Sequence, residues 1–133
     1  PEAGAALRDS FDKVSGTLKV GVVSSLGVRQ EDANIPVLAK ALGDSDPAIS
    51  KADAYALGAT RTPAAAKALS DGKASDEAAT AVAHAQRACA ESILAAGNNK
   101  EALALHTSLV GADLPKQFKL AATRGVLACA KSN

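Results

Sequence analysis

Apolar and small residues recur along this chain at intervals of three and four, in short runs broken by Gly, Pro and Asp. No run alternates at period two, so the pattern is that of amphipathic helices rather than strands. The clearest segment runs from Asp46-Pro47 to Gly58. Asp46 is a good N-cap, Pro47 suits the first helical position, and Ile49, Ala52, Ala56 and Leu57 share one side. Gly58 suits the residue just past the end, which predicts a helix of about eleven residues. Pro63 opens a second short helix, Pro63-Ala-Ala-Ala-Lys-Ala-Leu69, which stops at Ser-Asp-Gly. Further helices are expected over Asp76–Gly97, Lys100–Val110 and Lys116–Lys131. Their inward stripes are Val82, Ala85, Cys89 and Ile93; Ala102, Leu105, His106, Leu109 and Val110; and Phe118, Ala121, Ala122, Gly125 and Cys129. Near the start, Leu7, Phe11, Val14 and Leu18 fall at helical spacing and read as the second helix of a preceding repeat.

The chain repeats itself. Pro36-Val-Leu-Ala-Lys-Ala-Leu42 has the form of Pro63 to Leu69, and Leu18 to Leu26-Gly27 parallels Ile49 to Leu57-Gly58. Gly27, Gly58 and Gly97 mark the expected ends of successive first helices. Self-similarity of helix pairs at about 30–40 residues is the signature of stacked repeats, in which no pair buries its apolar face alone. The expected fold is therefore all-α: an α-α superhelix, or solenoid, of about three to four stacked antiparallel helix pairs, forming one domain over residues 1–133.

Leu26-Gly27, and Asp46-Pro47 through Leu57-Gly58 followed by Pro63-x-x-x-Lys-Ala-Leu69, resemble HEAT repeats, especially the short bacterial type grouped with phycobilisome-lyase HEAT-like repeats. The match covers residues 17–71. Cys89 through Leu105 is also similar to a tetratricopeptide-type pair, and Lys119-Leu-Ala-Ala-Thr-Arg-Gly-Val-Leu-Ala returns to the HEAT style. The resemblance implies a helical-repeat surface that binds proteins or peptides as a scaffold. It also allows an accessory role beside an enzyme or in cofactor attachment. Its motif residues are structural, so it speaks to fold rather than chemistry.

Composition adjusts this picture. The 133 residues carry 15 basic and 14 acidic side chains, a net charge of +1, which argues against a nucleic-acid partner. Alanine occurs 32 times, while the aromatics are only Phe11, Tyr55 and Phe118. Such a chain must gain stability from many close helix contacts rather than a few large anchors. The absence of methionine suggests a piece of a longer gene product. No apolar run is long enough to span a membrane. Two unpaired cysteines are compatible with the cytoplasm or the cell envelope.

Candidate chemistry is sparse. Asp44-Ser-Asp46 with Asp53 could suggest a cation site, but the spacing lacks the alternating ligands of a calcium loop and reads as a helix cap. His84 and Cys89 do not share a helix face, and His106 has no partner at metal-ligand spacing. Cys89 lies on an apolar stripe. An axial offset of about 10 Å separates it from Cys129, so two free buried thiols are expected. No catalytic, cofactor or metal residues are expected. Arg29 and Arg61 follow Gly27 and Gly58 and mark a possible interaction edge for an anion or acidic peptide.

Overall fold

The computed structural model describes residues 2–131, and among them the chain forms eight α-helices and no strand. They are α1 (Glu2–Ser10), α2 (Gly16–Arg29), α3 (Ile35–Leu42), α4 (Pro47–Thr60), α5 (Pro63–Asp71), α6 (Ala79–Ala95), α7 (Asn99–Gly111) and α8 (Lys116–Lys131). Single 3-10 turns precede α3 and α6 and follow α1. α2/α3, α4/α5 and α6/α7 form three successive pairs. The first helices α2, α4 and α6 stack in file, and α3 and α5 follow beside them. This is the expected superhelix, with α1 and α8 flanking three pairs.

Local chemistry starts the helices where the sequence placed them. The Asp46 carboxylate accepts the Ala48 N–H at 2.9 Å, and Thr62 Oγ1 accepts the Ala65 N–H at 3.2 Å ahead of Pro63. Each satisfies one of the donors that a helix start leaves open. The pairs are then tied by buried polar groups. Ser50 Oγ donates to the Leu42 carbonyl at the end of α3, at 2.7 Å. Asn34 Nδ2 donates to the Leu26 carbonyl at 2.9 Å, while its Oδ1 accepts from Arg8 at 2.7 Å, joining α1 to the α2/α3 turn. The apolar core runs the length of the stack, from Phe11 through Leu26, Leu38, Leu57 and Ile93 to Cys129.

The glycines do something other than end helices. α2 continues past Gly27 to Arg29 and stops on Gln30 in the left-handed region (φ 51°). α4 continues past Gly58 to Thr60 and stops on Arg61 (φ 55°). Gly27 and Gly58 are helical, and their role is close approach. A Cβ on Gly27 would lie 2.6 Å from Ala56 Cα, and one on Gly58 would lie 2.9 Å from Ala85 Cα. The Leu-Gly phrase therefore marks where one first helix crosses the next. Of the three glycines read as stops, Gly97 alone has the expected left-handed backbone (φ 89°).

Two further expectations change. Leu7, Phe11, Val14 and Leu18 do not share one helix. Phe11 turns into the core beneath the amines of Lys19 and Lys40, and Val14 and Ser15 are extended. Leu18, on the following helix, is 70% exposed. α8, whose Lys119–Ala128 phrase resembles the HEAT style, does not stack on α6 as a next first helix would; it packs chiefly on α7 with little contact to α6. Gly125 explains the seat: the His106 ring of α7 occupies the space its side chain would need.

Cys89 and Cys129 are both free and buried. An aromatic disulfide reagent should react slowly with the native protein and count two thiols once denaturant is added. A count of zero in denaturant without reductant would contradict this assignment.

Candidate interaction surface

Most titratable groups that could suggest chemistry are engaged in structure or isolated. Asp44 Oδ1 accepts the Asp46 N–H at 2.9 Å, and its Oδ2 pairs with Lys19 at 3.0 Å. The backbone hydrogen bond first, and Lys19 second, hold its carboxyl below the usual range. Asp44-Ser-Asp46 is therefore a capped joint between α3 and α4. Asp53 sits away from it, fully buried on α4, with neither carboxylate oxygen hydrogen-bonded. Burial alone pushes its pKa up to about 8. His106 is buried with both ring nitrogens unpartnered, and burial holds it below the ordinary imidazole range. His84 meets the Phe118 ring edge-on at 4.5 Å. The Cys89 sulfur lies 4.0 Å from the Leu57 carbonyl, and burial pushes its thiol up to about 11. A thiol at that value holds almost no thiolate at neutral pH.

The outer side of α2 and α4 is different. Because Gly27 and Ala56 bring these helices together, the groove between them has a floor of backbone and methyl groups from Gly27, Ala52, Ala56 and Ala59. Its walls are Val28, 82% exposed, and Tyr55, 60% exposed. The groove encloses about 190 Å³ and adjoins a hollow of about 330 Å³ beside Ser24, Ser25 and Arg29. Gln30 Nε2 donates to the Ala59 carbonyl at 2.7 Å, so the two helix ends are fastened side by side.

Arg29 and Arg61 flank this end. The structure pairs Gln30, not Arg29, with Arg61 as the equivalent left-handed residue, so Arg29 sits one step back on the last turn of α2. Both arginines are exposed, and neither makes an ion pair among the described residues. The opposite grooves, between α3 and α5 and between α5 and α7, are larger, at about 410 and 390 Å³. Their shared cation, Lys67, is already paired with Asp71 at 2.6 Å.

The arginines stand out in the sequence after repeated phrases, and the apolar walls between them are less conspicuous. The signal was present: Tyr55 lies off the Ile49–Ala52–Ala56 stripe, on the outward arc of the same helix.

Among the described residues no helix is long and apolar enough to cross a membrane, and no three His, Cys, Asp or Glu side chains gather as a metal site. No curated protein and no solved structure matches the chain. A family model for HEAT repeats matches residues 3–90, about two thirds of the chain, covering α1 through most of α6. HEAT repeats generally mediate protein interaction or scaffolding. Stacked helix pairs, paired starts at Pro36, Pro47 and Pro63, and the matched span together place this chain in the HEAT repeat family.

Proposed function

We propose that this chain is a non-catalytic docking module whose α2/α4 groove receives an apolar side chain of a protein or peptide partner. The observation that carries the reading is the exposure of Val28 and Tyr55 on either side of a floor of small residues. One aliphatic and one aromatic wall around a small-residue floor can desolvate an inserted anchor, which is where binding energy concentrates. Arg29 and Arg61 stand at the groove's end, neither in an ion pair among the described residues, and they fit carboxylates flanking that anchor. Charges at such a rim steer encounter and register more than they add affinity.

The test uses Val28→Ser with Tyr55→Ala in the full protein. Both positions are largely exposed, so the helical circular dichroism should be unchanged. Affinity for the partner recovered by the wild-type protein should fall at least about tenfold. Equal affinity with an intact fold would refute the groove as the docking site. Arg29→Glu with Arg61→Glu should mainly slow association and reduce its salt dependence.

A further inference from the structure

We infer that the outer face of α8 is a second docking surface, and that its occupant is an acidic amphipathic helix of a partner protein. This surface is independent of the α2/α4 groove and lies beyond the residues matched by the repeat family.

α8 has two opposed faces. Phe118, Ala122 and Cys129 are buried, and Gly125 lies against His106 of α7. On the other side Lys116, Leu120, Thr123, Arg124, Leu127 and Lys131 form one exposed stripe at helical spacing. Leu120 is 52% and Leu127 56% exposed, two turns apart. Two leucines at that spacing are the pattern by which one helix receives the ridge of another.

Charge identifies the occupant. α8 carries Lys116, Lys119, Arg124 and Lys131 and no acidic residue, in a chain whose total charge is only +1. None of these four makes an ion pair among the described residues. A second copy of this chain would set the same four cations against each other, which opposes self-association. A helix with apolar residues at i, i+4 and i+7, flanked by Glu or Asp, would cover Leu120 and Leu127 and meet Lys116, Arg124 and Lys131 at its rim. Like charges across such a contact are strongly disfavoured, so the basic stripe also selects against basic partners.

The test is binding of a synthetic amphipathic peptide of about 18 residues, enough to run the length of α8, with a leucine stripe flanked by glutamates. Its counterpart has lysine for every glutamate. The acidic peptide should bind and weaken with salt, and the basic one should not. Arg124→Glu should reduce acidic-peptide affinity at least about tenfold and confer binding of the basic peptide. Leu127→Ser should weaken the acidic peptide comparably. Both positions are exposed, and the variants' helical signal checks their folding; Lys116→Glu offers a second charge reversal should either fail. Equal binding of the two peptides, or no response to charge reversal in a folded variant, would overturn the inference. So would self-association lost on Leu127→Ser, or binding to phosphatidylglycerol vesicles without binding of the acidic peptide. Loss of the α2/α4 groove by Val28→Ser with Tyr55→Ala should leave peptide binding on α8 unchanged.

Discussion

Gly27→Ala should destabilise this protein, although Gly21→Ala, six residues earlier in the same helix, should stabilise it. In an exposed helix interior alanine is the better residue, because glycine loses more backbone freedom on folding; the gain is about 0.5–1 kcal/mol. Gly21 meets that condition: it is exposed, and a Cβ there has no atom within 4 Å. At Gly27 the added methyl would lie 2.6 Å from both Cα and Cβ of Ala56. Carbon atoms rest about 3.5–4.0 Å apart, so α2 and α4 must separate along the most extensive helix contact in the stack. The neighbouring atoms are backbone and a methyl group, with no long side chain to swing aside. Overpacking of this kind costs typically about 1–3 kcal/mol, enough to reverse the propensity gain. Gly27→Val should cost more. Gly58→Ala should repeat the effect one pair further on, where the obstacle is Ala85. Urea titrations of the four variants measure this. Equal stabilisation at positions 21 and 27 would mean that Gly27 is not a crossing point.

The second large effect is a stability that falls as pH rises, carried by Asp53. Its carboxyl is fully buried, has no hydrogen-bond partner, and titrates near pH 8 in the fold against 3.8 as the ordinary value. The folded protein therefore holds this proton through a range in which the unfolded chain has released it. The contribution is fully present below pH 3.8, declines as pH rises, and is gone once pH passes about 8. A gap of that size corresponds to a loss on the order of 4–6 kcal/mol across the window. Asp44, held low by its hydrogen bond and Lys19, acts in the opposite sense and loses its contribution as pH falls. Comparison with Asp53→Asn isolates the Asp53 part, because asparagine keeps the shape without the titration. Below pH 4 the two proteins should differ by only about 1 kcal/mol, the scale of exchanging one unpartnered polar group for another. At pH 9 the asparagine variant should be the more stable by several kcal/mol, roughly the window above. Parallel stability curves from pH 4 to 9 would show that Asp53 ionises normally and is reached by solvent.

The parts of this fold legible in the sequence are those written in local chemistry. Asp46, Pro47 and Pro63 announce helix starts through the donors a start leaves open, and Gly97 announces a stop through its backbone freedom. The repeat follows from the near-identical phrases at Pro36 and Pro63. Gly27 and Gly58 were misread as stops because a glycine after an apolar run looks the same whether it ends a helix or lets another helix cross it. Only the neighbour decides, and Ala56 and Ala85 lie 29 and 27 residues away in the chain. The seat of α8 was hidden for a similar reason: its apolar stripe fixes which side is buried, not which helix covers it. The candidate site was half visible. Arg29 and Arg61 stood out as cations after repeated phrases. The sequence shows that Tyr55 faces outward; that it and Val28 wall a groove follows only from the close crossing of α2 and α4, which fixes the floor between them.

The docking role of the α2/α4 groove is tested most directly by placing a photo-activatable benzophenone side chain at Tyr55 in the full protein and, separately, at Lys67 on the opposite grooves. Irradiation in the source cell, followed by peptide mapping, should give a discrete partner crosslink from position 55, lost with Val28→Ser. The account is contradicted if position 67 yields the partner crosslink and position 55 yields none.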